Sequence, residues 1–141
     1  MNYFGSCRCK SWRLGISVAE PLHQLRPRVC DCDYCKANPS AVVSHPGMQI
    51  ELAGDESLLT SNQNGDRLAH FYHCAACGDL LAVGCEINGC LRGAANALLL
   101  EQRAELGEHV PIQPRLLAAA EKLRRWETLW GELIISSSAA A

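Results

Sequence analysis

Three thiols fall within the short run Cys30-Asp31-Cys32-Asp33-Tyr34-Cys35. In extended backbone, side chains at i and i+2 leave on the same side, so Cys30 and Cys32 aim their sulfurs at one point. The C-x-x-C step that follows closes a tight turn and brings Cys35 to the same place. Three converging thiolates make a soft, anionic pocket for a borderline-soft cation, and zinc is its usual occupant. Three protein ligands leave one tetrahedral position free, as in catalytic rather than structural zinc sites.

Four further cysteines flank that run in pairs. Cys7 and Cys9 form a C-x-C pair before it, and Cys74 and Cys77 a C-x-x-C pair after it. Gly78 follows directly and suits a knuckle turn that needs a positive φ. Together the two pairs supply four sulfurs, which close the coordination sphere of a structural zinc. The expected organisation is nested, with two zinc ions per chain: a closed four-cysteine staple around an open three-cysteine site.

A disulfide framework is the competing reading. Nine cysteines in 141 residues is a high count, but below the density of small disulfide scaffolds, and it is odd. The stretch Met1 to Ser6 has no basic segment leading into an apolar one, so a cytoplasmic chain is expected. In a reducing cytoplasm, clustered cysteines point to metal or catalysis. The formal charge is −2, and seven thiolates with two Zn²⁺ take it to about −5. That lacks the basic footprint of a nucleic-acid binder, and no apolar run approaches the roughly 18 residues of a membrane span.

The elements that must position these thiols read mostly as strands. Trp12, Leu14, Ile16 and Val18 alternate with Arg13, Gly15 and Ser17, a strand with one buried face. A loop over Glu20 to Pro27 follows, and Arg28-Val29 leads into the central cysteines, with Asn38-Pro39 breaking the chain behind them. Ala41-Val42-Val43 is a short strand, and Met48, Ile50 and Leu52 alternate again before Gly54-Asp55. Asn64-Gly65 signals a hairpin, whose return strand from Arg67 to His73 delivers Cys74. Leu80 to Val83 is a buried strand, Asn88-Gly89 a second turn, and Arg92 to Leu98 another strand. From Pro114, apolar residues recur every three or four positions through Leu116, Ala119, Leu123, Trp126, Trp130 and Leu133, which predicts an amphipathic helix to about Ile135. The fold expected is mainly β, a single domain over residues 1–135 with a C-terminal α-helix at about 114–135. A disordered tail over residues 136–141 completes it.

Three blocks carry a family resemblance: Gly5-Ser6-Cys7-Arg8-Cys9, Cys30-Asp31-Cys32-Asp33-Tyr34-Cys35-Lys36 and His73-Cys74-Ala75-Ala76-Cys77-Gly78. In this order they resemble the signature of the glutathione-dependent formaldehyde-activating enzyme family, whose zinc domain is shared with centromere-protein-V-like proteins. Gly47, the Gly54-Asp55-Glu56-Ser57-Leu58 stretch and Asn96 also fall where that family has similar residues. The resemblance spans roughly Gly5 to Leu98. It implies a tent-like zinc fold built from antiparallel β-sheets, a structural zinc on Cys7, Cys9, Cys74 and Cys77, and a catalytic zinc on Cys30, Cys32 and Cys35. Lys10 departs from the family, which usually has glycine there, as do Asp31, where histidine is common, and Asn38-Pro39, which replaces a small Ser/Gly turn.

The chemistry implied is that of a carbon–sulfur lyase. The thiol of glutathione, as co-substrate, takes the fourth position on the central zinc and is deprotonated there. It then adds to the carbonyl of an aldehyde such as formaldehyde to give an S-hydroxymethyl adduct. Zinc serves as template and thiolate generator, and three thiolates on Zn²⁺ leave a net −1 that weakens it as a Lewis acid. The alternative is a non-enzymatic zinc module whose second site takes a fourth protein ligand and which binds a partner.

Other residues divide between chemistry and packing. Cys85 and Cys90 fit no pair and read as small core hydrophobes. His45, His70 and His73 are candidates for a fourth ligand or a proton donor, against a plainer polar or surface role. Arg8, Lys36 and Arg67 could meet glutathione carboxylates, against solvated surface. The Trp126/Trp130 stripe reads as core first and as a homodimer seam second.

Overall fold

Period-two patterning writes most of this chain as strands, and a computed structural model, which describes residues 1–30, 37–38, 40–63, 68–113 and 116–137, shows how they join. The chain runs β1 (Asn2–Ser6), β2 (Trp12–Ser17), β3 (Arg28–Cys30), β4 (Val42–Val43), β5 (Gln49–Gly54), β6 (Leu59–Gln63), β7 (His70–Cys74), β8 (Leu80–Ile87), β9 (Cys90–Asn96), β10 (Val110–Ile112), α1 (Ala119–Leu129) and β11 (Gly131–Ser137). Among the described residues these strands form one sheet. Its main path is β1-β2-β5-β11-β9-β8-β7-β6, and a second arm, β4-β3-β10, leaves β9 at Ala95 and Asn96. Pairing is antiparallel except for β11 on β5 and β10 on β3, which are parallel.

The expected alternation is met where it was strongest. Trp12, Leu14 and Ile16 of β2 are buried, in register with Gly54, Leu52 and Ile50 of β5. These residues anchor the main core. A second cluster, Ala69, Leu80, Val83, Cys85, Ile87, Ala94 and Trp130, packs with Leu123 and Trp126 of α1. The β8–β9 hairpin turns at Asn88 and Gly89, with φ of 53° and 80°. Two successive left-handed residues define the turn that matches strand twist. β6 and β7 pair antiparallel as the Asn64-Gly65 signal requires, though residues 64–67 lie outside the described residues.

The C-terminal region departs from expectation. α1 covers only Ala119–Leu129, and Gly131–Ser137 is a strand. Leu116 belongs to a short turn closed by its N–H on the Gln113 carbonyl at 3.1 Å. The apolar spacing continues past Leu129 because Trp130 and Leu133 keep the helical interval and are both buried, but Trp130 caps the helix in extended backbone and Leu133 lies on β11. Gly131 marks the change, since a Cβ there would run into the Met48 carbonyl oxygen. Close approach lets Glu132 N–H reach that same carbonyl at 3.0 Å and start the parallel pairing with β5. The expected tail shortens accordingly, because Ser136 and Ser137 pair with Ala53 and Gly54, while residues 138–141 lie outside the described residues.

Asn96 pins the junction of the two arms. It is buried, its Oδ1 accepts from Ala41 N–H at 3.3 Å and Leu98 N–H at 3.2 Å, and its Nδ2 donates to the Leu80 carbonyl at 2.8 Å. A buried amide this fully bonded fixes three segments at once. The last of them is the 3-10 turn Ala97–Leu99, which ends the strand two residues before the expected Leu98.

Candidate metal centre

Two turns meet to make the site. One links β1 to β2 and carries Cys7 and Cys9; the other links β7 to β8 and carries Cys77, with Cys74 at the end of β7. In the first turn, Lys10 N–H donates to the Cys7 carbonyl at 3.0 Å, with Lys10 at a φ of 63°. In the second, Gly78 N–H donates to the Cys74 carbonyl at 2.8 Å, with Gly78 at a φ of 82°. Each turn curls the backbone round its sulfurs, and each ends on a left-handed residue. Gly78 takes that conformation freely; Lys10 does not.

The four sulfurs lie within 4.8 Å of one another. Cys9 Sγ is 3.7 Å from Cys7 Sγ and 3.6 Å from Cys74 Sγ. Sulfurs placed tetrahedrally at about 2.3 Å from one zinc stand about 3.8 Å apart, so the spacing fits a shared cation. It is far beyond the roughly 2.0 Å of a disulfide, and all four cysteines are free.

The thiols are electrostatically unlike. Burial pushes Cys7 up to about 12, and it also raises Cys74. Cys9, exposed and 3.1 Å from Ser11 Oγ, is lowered to about 6 by hydrogen bonds from Ser11. Two buried thiols that resist ionisation beside an exposed one that ionises readily make a pocket that a divalent cation stabilises. Trp12 N–H donates to Cys7 Sγ at 3.4 Å and supplies part of the bonding a ligating sulfur needs.

A second layer holds the two turns together. Arg8 N–H and Nε donate to the two carboxylate oxygens of Asp79, each at 2.8 Å, and Arg8 also reaches the Cys77 carbonyl. The Leu58 carbonyl accepts from Ala75 N–H at 2.7 Å and from the Trp12 indole at 3.0 Å. That carbonyl is presented by the Gly54-to-Leu58 stretch, where Asp55 accepts from Ser57 N–H at 2.9 Å. His73, buried behind the second turn, is 3.1 Å through Nδ1 from the Gly78 carbonyl. Asp79 and the Leu58 carbonyl were not singled out by sequence reasoning. Only the position of Asp79 after the knuckle glycine hinted at it.

The remaining candidates fall elsewhere. Cys30 ends β3, half-buried, in register with Ile112; Cys32, Cys35 and Lys36 lie outside the described residues, as does Arg67. Among the described residues no histidine joins the four sulfurs. His45 pairs with Glu20 at 3.3 Å, and His70 sits 3.0 Å from Ser61 Oγ. Arg8 is engaged by Asp79 rather than free for a substrate. Cys85 is buried as expected, but Cys90 is exposed because it opens β9 directly after the hairpin turn. Trp126 stacks on Trp130 with centroids 4.5 Å apart, inside the second core cluster.

The fold and site thus define a small, mostly β protein with a four-cysteine group able to bind a metal ion. Among the described residues no helix is long and apolar enough to cross a membrane. The chain is similar in fold to a Rhodobacter sphaeroides protein whose crystal structure was solved as a structural-genomics target, with a TM-score of 0.56 and 18% identity over 76% of this chain and 99% of that one. No family model matches the chain, and neither does any curated protein.

Proposed function

We propose that this chain is a zinc protein with two sites of different kind: a closed structural site on Cys7, Cys9, Cys74 and Cys77, and an open one on Cys30, Cys32 and Cys35 that joins a thiol to an aldehyde. The observation that carries it is the meeting of Cys9 and Cys74, 65 residues apart, in one four-sulfur group, from which, among the described residues, Cys30 stands apart at the end of its own strand. With Cys32 and Cys35, Cys30 is then open to a second purpose.

Cys30, Cys32 and Cys35 would hold a zinc that, when bound, would keep a coordinated substrate thiol ionised near neutral pH. The substrate sulfur forms a bond to the carbonyl carbon while the C=O π pair moves to oxygen. The proton lost by the thiol ends on that oxygen. In reverse the C–S bond breaks and thiol and aldehyde separate. No oxidant or reductant takes part, which suits a metal without redox chemistry. Glutathione and formaldehyde are the first pair to test.

Metal analysis of the reduced protein is expected to find two zinc ions per chain. Cys32→Ser is expected to keep the fold and one zinc while losing adduct formation from glutathione and formaldehyde. Full activity in that variant places catalysis elsewhere. Two zinc ions with no adduct in the wild type, the second completed by a protein side chain, makes the chain a non-enzymatic zinc module.

A further inference from the structure

The four-sulfur group is uneven in its access to solvent. Cys7 and Cys74 are each only 1% exposed and Cys77 is half-buried, whereas Cys9 is exposed. Cys9 Sγ also lies between two of the others, 3.7 Å from Cys7 Sγ and 3.6 Å from Cys74 Sγ. A reagent arriving from solvent meets Cys9 first, and a second sulfur stands behind it on either side.

The two neighbours are not equivalent. Cys7 shares a turn with Cys9, its N–H on the Trp12 carbonyl at 3.2 Å and its carbonyl accepting from Lys10 N–H at 3.0 Å. The Cys7 sulfur accepts from Trp12 N–H at 3.4 Å, a bond that rotation toward Cys9 breaks. A bridge between residues i and i+2 also closes a small ring that strains the disulfide dihedral. Cys74 belongs to the other turn, 65 residues along the chain. A bridge to it takes far more freedom from the unfolded chain. Arg8 N–H and Nε, each 2.8 Å from the Asp79 carboxylate, hold the two turns abreast without help from the sulfurs.

We propose that Cys9 is an oxidation site for a hydroperoxide and goes on to form a disulfide with Cys74, a bond that takes the place of the metal. The inference rests on the closed zinc site of the proposed function. In the first step the Cys9 sulfur attacks one peroxide oxygen. An S–O bond forms, the O–O bond breaks, and hydroxide departs beside the Ser11 hydroxyl, 3.1 Å from Cys9 Sγ. In the second the Cys74 sulfur attacks Cys9 Sγ: the S–S bond forms, the S–O bond breaks, and a second hydroxide leaves. Each thiolate gives up one electron, the two peroxide oxygens take them, and protons from solvent turn both hydroxides into water. The remaining pair, Cys7 and Cys77, is two ligands short of a closed zinc site, so zinc is released with its charge unchanged. A thiol reductant reverses the bridge and restores the four ligands.

The test loads Cys32→Ser with zinc, so that the four-cysteine group is the one zinc site, and adds hydrogen peroxide in equimolar amount. A chromogenic chelator counts released zinc, and mass spectrometry of the thiol-blocked, digested chain maps the bridges; the wild type is mapped alongside. One zinc released for each Cys9–Cys74 disulfide is expected, with zinc binding recovered after dithiothreitol. The oxidised chain should also melt above the reduced, metal-free one, because the bridge still joins the two turns. Cys9→Ser should lose the release; if that variant holds no zinc, the wild-type map decides. A Cys7–Cys9 bridge, Cys9 carried on to sulfinate, or zinc release with Cys9 unmodified overturns the inference. Zinc-loaded protein that forms no Cys9–Cys74 bridge ends this inference alone. A chain that forms the bridge but takes up no zinc when reduced sustains the oxidation site and ends the proposed function.

Discussion

Lys10 holds the first cysteine turn in a conformation that suits glycine, with φ at 63°. A side chain in that region costs roughly 1 kcal/mol. Lys10→Gly is therefore expected to raise stability by about 0.5 kcal/mol at most, after the added freedom of the unfolded chain is subtracted. The urea midpoint at constant zinc measures it, and a lower midpoint contradicts the strain. The cysteines themselves predict a proton count. Near neutral pH the Cys7 thiol, pushed up to about 12, and the raised Cys74 thiol are protonated in the metal-free chain, whereas Cys9, lowered to about 6, is mostly thiolate. Zinc uptake should release protons from Cys7 and Cys74 and almost none from Cys9, so Cys9→Ser should leave that contribution nearly unchanged. Titration in buffers of different ionisation enthalpy reads the number. The signs for the metal-free fold are opposite. The raised Cys7 lends stability below its ordinary value of 9.0, lost as pH climbs toward 12; the lowered Cys9 lends it above 9.0, lost as pH falls through 6.

Elements were legible wherever one pattern excluded the other. The alternation in Trp12–Ser17 fits no helix, and Asn88-Gly89 admits few turns but the one observed. The four-cysteine group was legible for the same reason, since C-x-C and C-x-x-C spacings bring sulfurs together. The end of α1 was not, because Trp130 and Leu133 continue the three-or-four spacing of Leu123 and Trp126 although the chain is extended from Trp130 onward. What decides there is long-range: the approach of Gly131 to the Met48 carbonyl, which no local window contains. The Arg8–Asp79 clamp was hidden likewise, its partners being 71 residues apart. Gly131→Val should force Met48 away and break the start of the β5–β11 pairing. A loss of about 3 kcal/mol is expected, read from chemical unfolding at saturating zinc. A near-neutral result would mean the strand can shift to admit a side chain.

At the scale of the molecule, the cysteine group joins the two ends of the main sheet path. Cys7 and Cys9 follow β1, the first strand of the path, and Cys74 and Cys77 flank the turn after β7, its penultimate strand. Hydrogen bonds run from strand to strand along this path, and its extremities are tied by the Arg8–Asp79 clamp and by four sulfurs able to share a cation. With a metal held there, the sheet would behave as a strap whose buckle is partly inorganic. Unfastened by a chelator, it should loosen from its tips inward: amides of β1 and β6 should exchange with solvent faster while those of β5 and β9 in the middle change least. Equal acceleration in all four would show a strap that does not depend on its buckle. Metal supply would then govern not whether this protein has a shape, but how long its outermost strands keep it.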